Sequence, residues 1–366
     1  MTETLSDCMI LSRDCLLALP LSALTSCDKP RIVKNIDTTK KTRIMTPSHD
    51  DAPPFTVGFL LFPHFAMLSF SSVIEPLRIA NRLSGQSLYR WELLSLDNQV
   101  VEASNGIPFT PTLDHDEWRR LDAIILVAGT GTSLIASDRL FKWLREVTRS
   151  RRLLGSTSTG SILLAKAGVL RHKRCTIHWE DQASLQEEYP DLLVTNELFE
   201  IEENILTCSG GTAGLDMMLS LIDRQQGSDL SKHIADQCIH PDIRPAHDKQ
   251  RMSLEERLGI HNPALASAIH VMHSHIEDTI NCEQLAGLVG ISHRQLQRLF
   301  KENFGMTPAA YYLDMRLEHG DNLLRKTSLD IINIATATGF SSTSHFSKCY
   351  RKRYGLAPRE RRKARH

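Results

Sequence analysis

The chain has 366 residues, 41% of them hydrophobic and 23% charged, with 43 Lys/Arg balancing 43 Asp/Glu. That length predicts two or three domains, each able to bury a core, in a chain of ordinary globular composition. No apolar run reaches the roughly 18 residues that span a bilayer, so a membrane-embedded helix is excluded.

The zero net charge hides an asymmetry. From Ala264 to the end there are 15 Lys/Arg against 9 Asp/Glu, which leaves 28 against 34 for the preceding 263 residues. From Ser341 onward nine basic residues face a single acid, Glu360. A mildly acidic body with a basic end points to a module that faces nucleic acid, with a solvated basic tail as the alternative on charge alone. Eight cysteines, at 8, 15, 27, 175, 208, 238, 282 and 349, are scattered without a C-x-x-C pair. They fit free thiols in a reducing compartment and give no zinc signature.

In chain order, residues 15–27 (CLLALPLSALTSC) have the look of a short signal-peptide core. The segment before them carries Glu3, Asp7 and Asp14 against Arg13, where a signal needs a basic start, and Pro20 interrupts the run. Residues 1–54 are therefore expected to be a disordered leader, or an over-long gene start whose true first residue is Met45. Residues 55–62 (FTVGFLLF) predict a fully buried parallel strand, and 71–83 an amphipathic helix. Strands are expected at 91–96, 122–128, 152–155, 174–179, 192–197 and 205–211, and helices at 137–149, 161–168, 180–188 and from Thr212 to Arg224. This alternation predicts a doubly wound α/β domain over 55–226. A polar linker with some helix follows at 227–262, and helical patterns alone fill 263–366.

Within the α/β half, LLGSTSTGSILLAKAGVL (153–170) predicts a strand, a tight turn from Gly155 to Gly160, and a helix. That arrangement lifts a nucleophile above a sheet, and the residue at its tip is Ser158. The alternative is that it is only the frame of such a site.

The C-terminal hundred residues repeat. RLFKENFGMTP (298–308) and KCYRKRYGLAP (348–358) share one pattern of basic, aromatic, Gly and Pro positions, and LAGLVGIS (285–292) pairs with IATATGFS (334–341). This is helix-turn-helix chemistry. Ala286 and Ala335 are small where two helices cross, and Gly290 and Gly339 supply the left-handed turn. Ile291 and Phe340 plug the core, while Ser292 and Ser341 are expected to cap the second helix of each unit. Those second helices carry Ser292, His293, Arg294, Gln295, Gln297, Arg298 and Lys301 in the first copy. The second copy offers Ser342, Thr343, Ser344, His345, Lys348, Arg351 and Lys352. Such side chains bond to base edges and phosphates in a major groove, while Leu296, Leu299, Phe300, Phe346 and Tyr350 face inward. Residues 307–324 predict one long helix, capped by Thr307 with Pro308 at its first position, that holds the two readers apart. A plain helical bundle does not explain two copies with the same basic face.

These residues carry a resemblance. The C-terminal hundred residues resemble the DNA-binding domain of AraC/XylS transcription regulators through Ser292, Leu296, Arg298, Phe300-Lys301, Phe304-Gly305, Pro308, Arg316-Leu317, Leu323-Leu324, Gly339-Phe340, Ser344-His345-Phe346, Tyr354-Gly355 and Pro358. The chain departs from the family at Gly320-Asp321, where Ala-Arg is usual. A mid-helix Gly costs about 1 kcal/mol relative to Ala, and Asp removes a phosphate contact. The α/β half resembles the amidotransferase-like (PfpI-type) domain of GlxA-type regulators through VGFLLFPHF, IEPLRIAN, TSTGS, LAKAGVL, TIHWED and GGTAGLDMMLSLI.

The resemblance implies a doubly wound flavodoxin-like domain followed by an all-α double helix-turn-helix domain. It also implies that Ser158 stands where catalytic relatives have Cys, His178 at their His, and Ser69 at their acid. Without an orienting acid the elbow reads as degenerate, and no catalytic residue, cofactor or metal is expected. The competing class is a Ser/His-dependent hydrolase or amidase of the PfpI type with an accessory DNA-binding domain, in which Glu180 or Asp181 would assist His178. A ligand site is expected from Phe62, Phe65, Gly129, Thr130, Ser158, Thr159, His178 and Trp179, with elbow N–H groups for a carboxylate and aromatic faces for a cation. Each aromatic taken alone reads more simply as core. The implied ligand is an amine or amino-acid-type metabolite such as a betaine, carnitine or arginine. The implied partners are promoter DNA, RNA polymerase and a second copy of the chain, in the cytoplasm and away from any membrane, with activation as the usual mode. His270, His273 and His275 read as a solvated helix face, not a metal site.

Overall fold

The computed structural model describes residues 53–135 and 137–363. The leader expected over 1–54 therefore lies, up to residue 52, outside the described residues.

The α/β half runs β1 Phe55–Leu61, α1 Met67–Ser84, β2 Tyr89–Leu94, β3 Val101–Glu102, β4 Pro108–Phe109, β5 Ala123–Val127, α2 Asp138–Arg149, β6 Leu153–Thr157 and α3 Ser161–Lys166. It continues with β7 Arg174–Thr176, α4 Trp179–Glu188, β8 Leu193–Thr195, β9 Phe199–Glu202, β10 Ile205–Cys208, α5 Ala213–Gln226 and α6 Ser228–Gln237. The helical half comprises α7 Leu254–Leu258, α8 Pro263–Ser274, α9 Cys282–Leu288, α10 His293–Phe304, α11 Pro308–Lys326, α12 Ile331–Ala337, α13 Thr343–Tyr354 and α14 Pro358–Lys363.

The main sheet has six strands in the order β2-β1-β5-β6-β10-β9. All neighbours are parallel except β9, which pairs antiparallel with β10. The first five follow the flavodoxin-like order. Alternation along β1 shows why the run is apolar throughout. Val57, Phe59 and Leu61 enter one core layer with α1, α5 and α6, while Leu60 enters the other with α2 and α3. A strand covered on both faces has no polar side to show.

Strands β3, β4 and β9 escaped the sequence pattern. Edge strand β9 (FEIE) carries two glutamates, and Glu200 meets Arg174 at 2.9 Å. Helix α6 lies in the polar stretch read as linker, yet buries Ile234 and Ala235 in the core layer of α1. The chain after α6 then runs along the α/β domain. Buried Asp216 accepts bonds from Arg244 at 2.6 Å and pairs with His240 at 2.8 Å, and Gln250 donates to Thr176 and to the carbonyls of Ile177 and Glu197.

The helical half has two small cores, one around Leu265, Ile269, Leu296 and Phe300, the other around Leu324, Ile334, Phe346 and Tyr350. Helix α11 contributes to both, with Tyr312 and Met315 in the first and Leu317, Leu323 and Leu324 in the second. No helix among the described residues is long and apolar enough to cross a membrane.

Candidate DNA interface and effector site

In both helix-turn-helix units the turn is made by a left-handed glycine, Gly290 at φ 70° and Gly339 at φ 69°. The environments differ. A Cβ at Gly290 meets open space, whereas one at Gly339 would lie 2.5 Å from the Ile276 carbonyl and 2.6 Å from Thr279. The second turn is thus packed against the loop that precedes α9, and Arg316 fixes it further by donating to the carbonyls of Thr338 at 2.7 Å and Gly339 at 2.6 Å. Arg316 therefore positions the turn.

Ser292 caps α10 in a capping box with Gln295, whose side chain reaches back to the Ser292 N–H at 2.9 Å. In the second unit the cap is Ser342, which accepts the His345 N–H at 3.2 Å, and not Ser341 as the repeat suggested. One extra residue enters the second turn, so its cap shifts by one. Ser292, Gln295 and Ser342 consequently stabilise helix ends as well as lying on the expected interface. His293, Arg294, Gln297, Arg298 and Lys301 are exposed on α10, as are Ser344, His345, Lys348, Arg351 and Lys352 on α13, with Thr343 half-buried. The 19 residues of α11 make it about 28 Å long, close to the roughly 34 Å between successive major-groove faces.

At the elbow, β6 ends at Thr157 and Ser158 takes φ 54°, a strained value that nucleophile turns share. Ser69 lies beside it: a Cβ at Gly210 would stand 2.8 Å from the Ser158 Cβ and 3.0 Å from the Ser69 Oγ. The Ser69 hydroxyl accepts the Gly211 N–H at 2.9 Å. Beside the turn, Cys208 stands in register with Thr157 and is fully buried. Burial pushes that thiol up to about 12, so it stays protonated at neutral pH. Helix α3, which follows the elbow, is only six residues long.

The expected ligand residues fall into three groups. Phe62 and Phe65 are 0% exposed and belong to the two core layers, with Phe65 edge-on to Phe70 and Phe109, so neither ring offers a face to a ligand. This is the core role that each aromatic, taken alone, suggests. Gly129, Thr130, Ser158 and Thr159 cluster above β5 and β6, where the Thr159 hydroxyl donates to the Gly129 carbonyl at 2.7 Å and Thr132 Oγ1 lies 2.9 Å away. His178 and Trp179 open α4. The elbow reaches them through Ser161, which donates to the Thr176 carbonyl at 2.7 Å.

His178 caps α4, its Nδ1 accepting the Glu180 N–H at 3.4 Å. Burial lowers its pKa, Glu180 and Asp181 act against that, and Lys326 adds to it. The ring is therefore neutral at neutral pH. His178, Glu180 and Asp181 bring one ligand-type atom each within 4.8 Å of the others. Arg251, which the sequence did not single out, stacks its guanidinium 3.6 Å from the centre of the Trp179 ring. A cavity of about 230 Å³ between α2 and the turn at 115–120, lined by His115, Arg139 and Trp143 among others, was also not foreseen.

Comparison with known proteins agrees with both halves. Residues 57–224 match the DJ-1/PfpI family, and residues 285–364 match the family described as Helix-turn-helix domain. The HTH-type transcriptional regulator GbdR of Pseudomonas aeruginosa PAO1 is 42% identical over 309 residues, covering 84% of each chain. The HTH-type transcriptional regulator CdhR of the same strain is 40% identical over 304 residues, covering 83% of this chain and 90% of that one. An isonitrile hydratase of Pseudomonas putida is 30% identical over 183 residues, covering 48% of this chain and 74% of its own. The chain belongs to the HTH-type transcriptional regulators that join a DJ-1/PfpI domain to an AraC-type DNA-binding domain.

Proposed function

We propose that this DNA-binding regulator activates transcription from a promoter in response to a small metabolite carrying an ammonium or guanidinium group and a carboxylate, such as a betaine, carnitine or arginine. The observation that carries the regulatory reading is the pair of recognition helices, α10 and α13, each presenting basic side chains to solvent on one chain with a folded α/β domain. The effector reading is supported by the first turn of α4, where an aromatic face already receives a cation and two carboxylates stand beside it. The sensing domain is taken as 55–226, the linker as 227–262 and the DNA-binding domain as 263–366, in a cytoplasmic homodimer that engages RNA polymerase. A thermal-shift screen of glycine betaine, carnitine and arginine tests the effector class, because a ligand bound to the native state raises its apparent stability. No shift with any of them would reject that class.

The isonitrile hydratase similarity and the strained Ser158 favour examining an enzymatic reading too. In our reading Ser158 and His178 belong to a cradle and not to a reaction centre, since Ser69 replaces the assisting acid. Ser158→Ala, assayed for p-nitrophenyl ester hydrolysis and for reporter expression, separates the two. Loss of a hydrolytic turnover with unchanged expression would establish the enzyme.

A further inference from the structure

Helix α4 meets the DNA-binding half of the molecule, and the linker that leads to it, at three places. From α11, the helix that joins the two helix-turn-helix units, Lys326 donates to Asp181 Oδ1 at 3.1 Å and to the Glu180 carbonyl at 2.8 Å. Two turns further along, at the last residue of α4, Ser328 donates to Glu188 Oε1 at 2.5 Å. From the segment that leads into α7 and α8, Arg251 covers the Trp179 ring. The Lys326 and Asp181 side chains are only 19% and 12% exposed, so this ion pair is screened far less than a surface pair. All the described residues fall within one compact unit.

We infer that the first turn of α4 is a latch holding the DNA-binding domain against the α/β domain, with Lys326 and Arg251 as its two cationic fasteners. A ligand's cationic group opens it by taking the Trp179 ring from Arg251. The latch itself stands on the contacts above, while its opening by ligand rests on the effector reading of the preceding subsection. Two features make the competition physically direct. A guanidinium stacked on a ring and an alkylated ammonium on the same ring are the same interaction, so both cannot hold one face. Arg251 is exposed, so moving its side chain off the ring requires no unfolding of a core. Once the ring is taken, Arg251 no longer fastens α4, and Lys326 is the other cationic fastener on a turn whose cap, His178, belongs to the same site. Occupancy of the α/β domain is thereby read out at the helix that sets the spacing of α10 and α13.

The test is hydrogen exchange followed by mass spectrometry on the full-length protein. Lys326→Ala is expected to raise exchange several-fold in the first turn of α4 and the last turn of α11, while leaving the interior of α10 unchanged. The reversed pair Lys326→Asp with Asp181→Lys is expected to restore protection, which a merely misfolded variant would not do. Unchanged exchange at both turns in Lys326→Ala would overturn the latch whatever the effector is. For the opening step, calorimetry with glycine betaine, carnitine and arginine compares the natural protein with Arg251→Ala. Removal of the internal competitor is expected to tighten binding several-fold. Binding to both proteins with equal affinity would overturn the opening step and leave the effector reading standing. Binding to neither would overturn the effector reading and the opening step together, with the latch still decided by the exchange data.

Discussion

Asp321 on α11 accepts the hydroxyl of Tyr350 on α13 at 2.5 Å, joining the linker helix to the second recognition helix. Arg361 on α14 donates to the same carboxylate at 2.8 and 3.2 Å, and Arg325 lies 3.1 Å away. The acid that departs from the family pattern is therefore the hub of the second helix-turn-helix unit. Burial works against its charge, but the bonds from Arg361 and Tyr350 hold its pKa below the ordinary 3.8. A depressed carboxylate contributes stability that is complete above 3.8 and is lost as pH falls through the lower folded-state value. Asp321→Ala should cost about 2–4 kcal/mol, since it strands two cations and a buried hydroxyl. Chemical denaturation followed by circular dichroism measures it, and a cost near zero would remove Asp321 from this role.

Gly320 is explained in the same way. A Cβ there would lie 2.9 and 3.1 Å from the ring of Phe346, which is 0% exposed and cannot retreat. Gly→Ala inside a helix ordinarily stabilises by about 1 kcal/mol, but here overpacking should reverse the sign and destabilise by roughly 1–3 kcal/mol. A raised melting temperature for Gly320→Ala would contradict the packing.

The capping shift gives a discriminating pair. Ser342→Ala should cost about 1 kcal/mol, because Ser342 accepts the His345 N–H, while Ser341→Ala should stay within about 0.5 kcal/mol. Equal costs by thermal denaturation would show that the cap is shared. The sequence made the turn legible through Gly339 and Phe340, yet two adjacent serines gave no means of choosing between them. The choice depends on the backbone, which is extended at Ser342. The same limit applies to Arg251, which meets Trp179 across 72 residues of sequence. The glycines, the elbow and both recognition helices were readable because each is specified by residues next to one another. Strand β9 was not, since the pairing of Glu200 with Arg174 conceals its charge.

Arg298 and Arg351 are exposed, and Arg298 lies 3.8 Å from Glu302. Alanine at either position should lower promoter affinity by about 1–3 kcal/mol if it reads a base, or reduce the salt slope by about one if it meets phosphate. Arg316→Ala should instead lower the melting temperature, because its guanidinium holds the Thr338 and Gly339 carbonyls. Gel-shift titration at several salt concentrations separates these outcomes, and undiminished binding by both Arg298→Ala and Arg351→Ala would move the interface off these helices.

The first unit should have its own acid sensitivity, set by His319 on α11. Enclosure pushes the pKa of this imidazole down to about 4 from the ordinary 6.5, and the nearby His273 adds to the effect. Between those values the unfolded chain binds a proton that the folded chain refuses. Stability therefore rises with pH across that window and is lost as pH falls from about 6.5 toward 4. His319→Gln removes the titrating group and should flatten this part of the stability profile while the loss at lower pH, carried by Asp321, persists. Urea denaturation at intervals between pH 4 and 7 checks it, and an unchanged slope in His319→Gln would assign the sensitivity to another group.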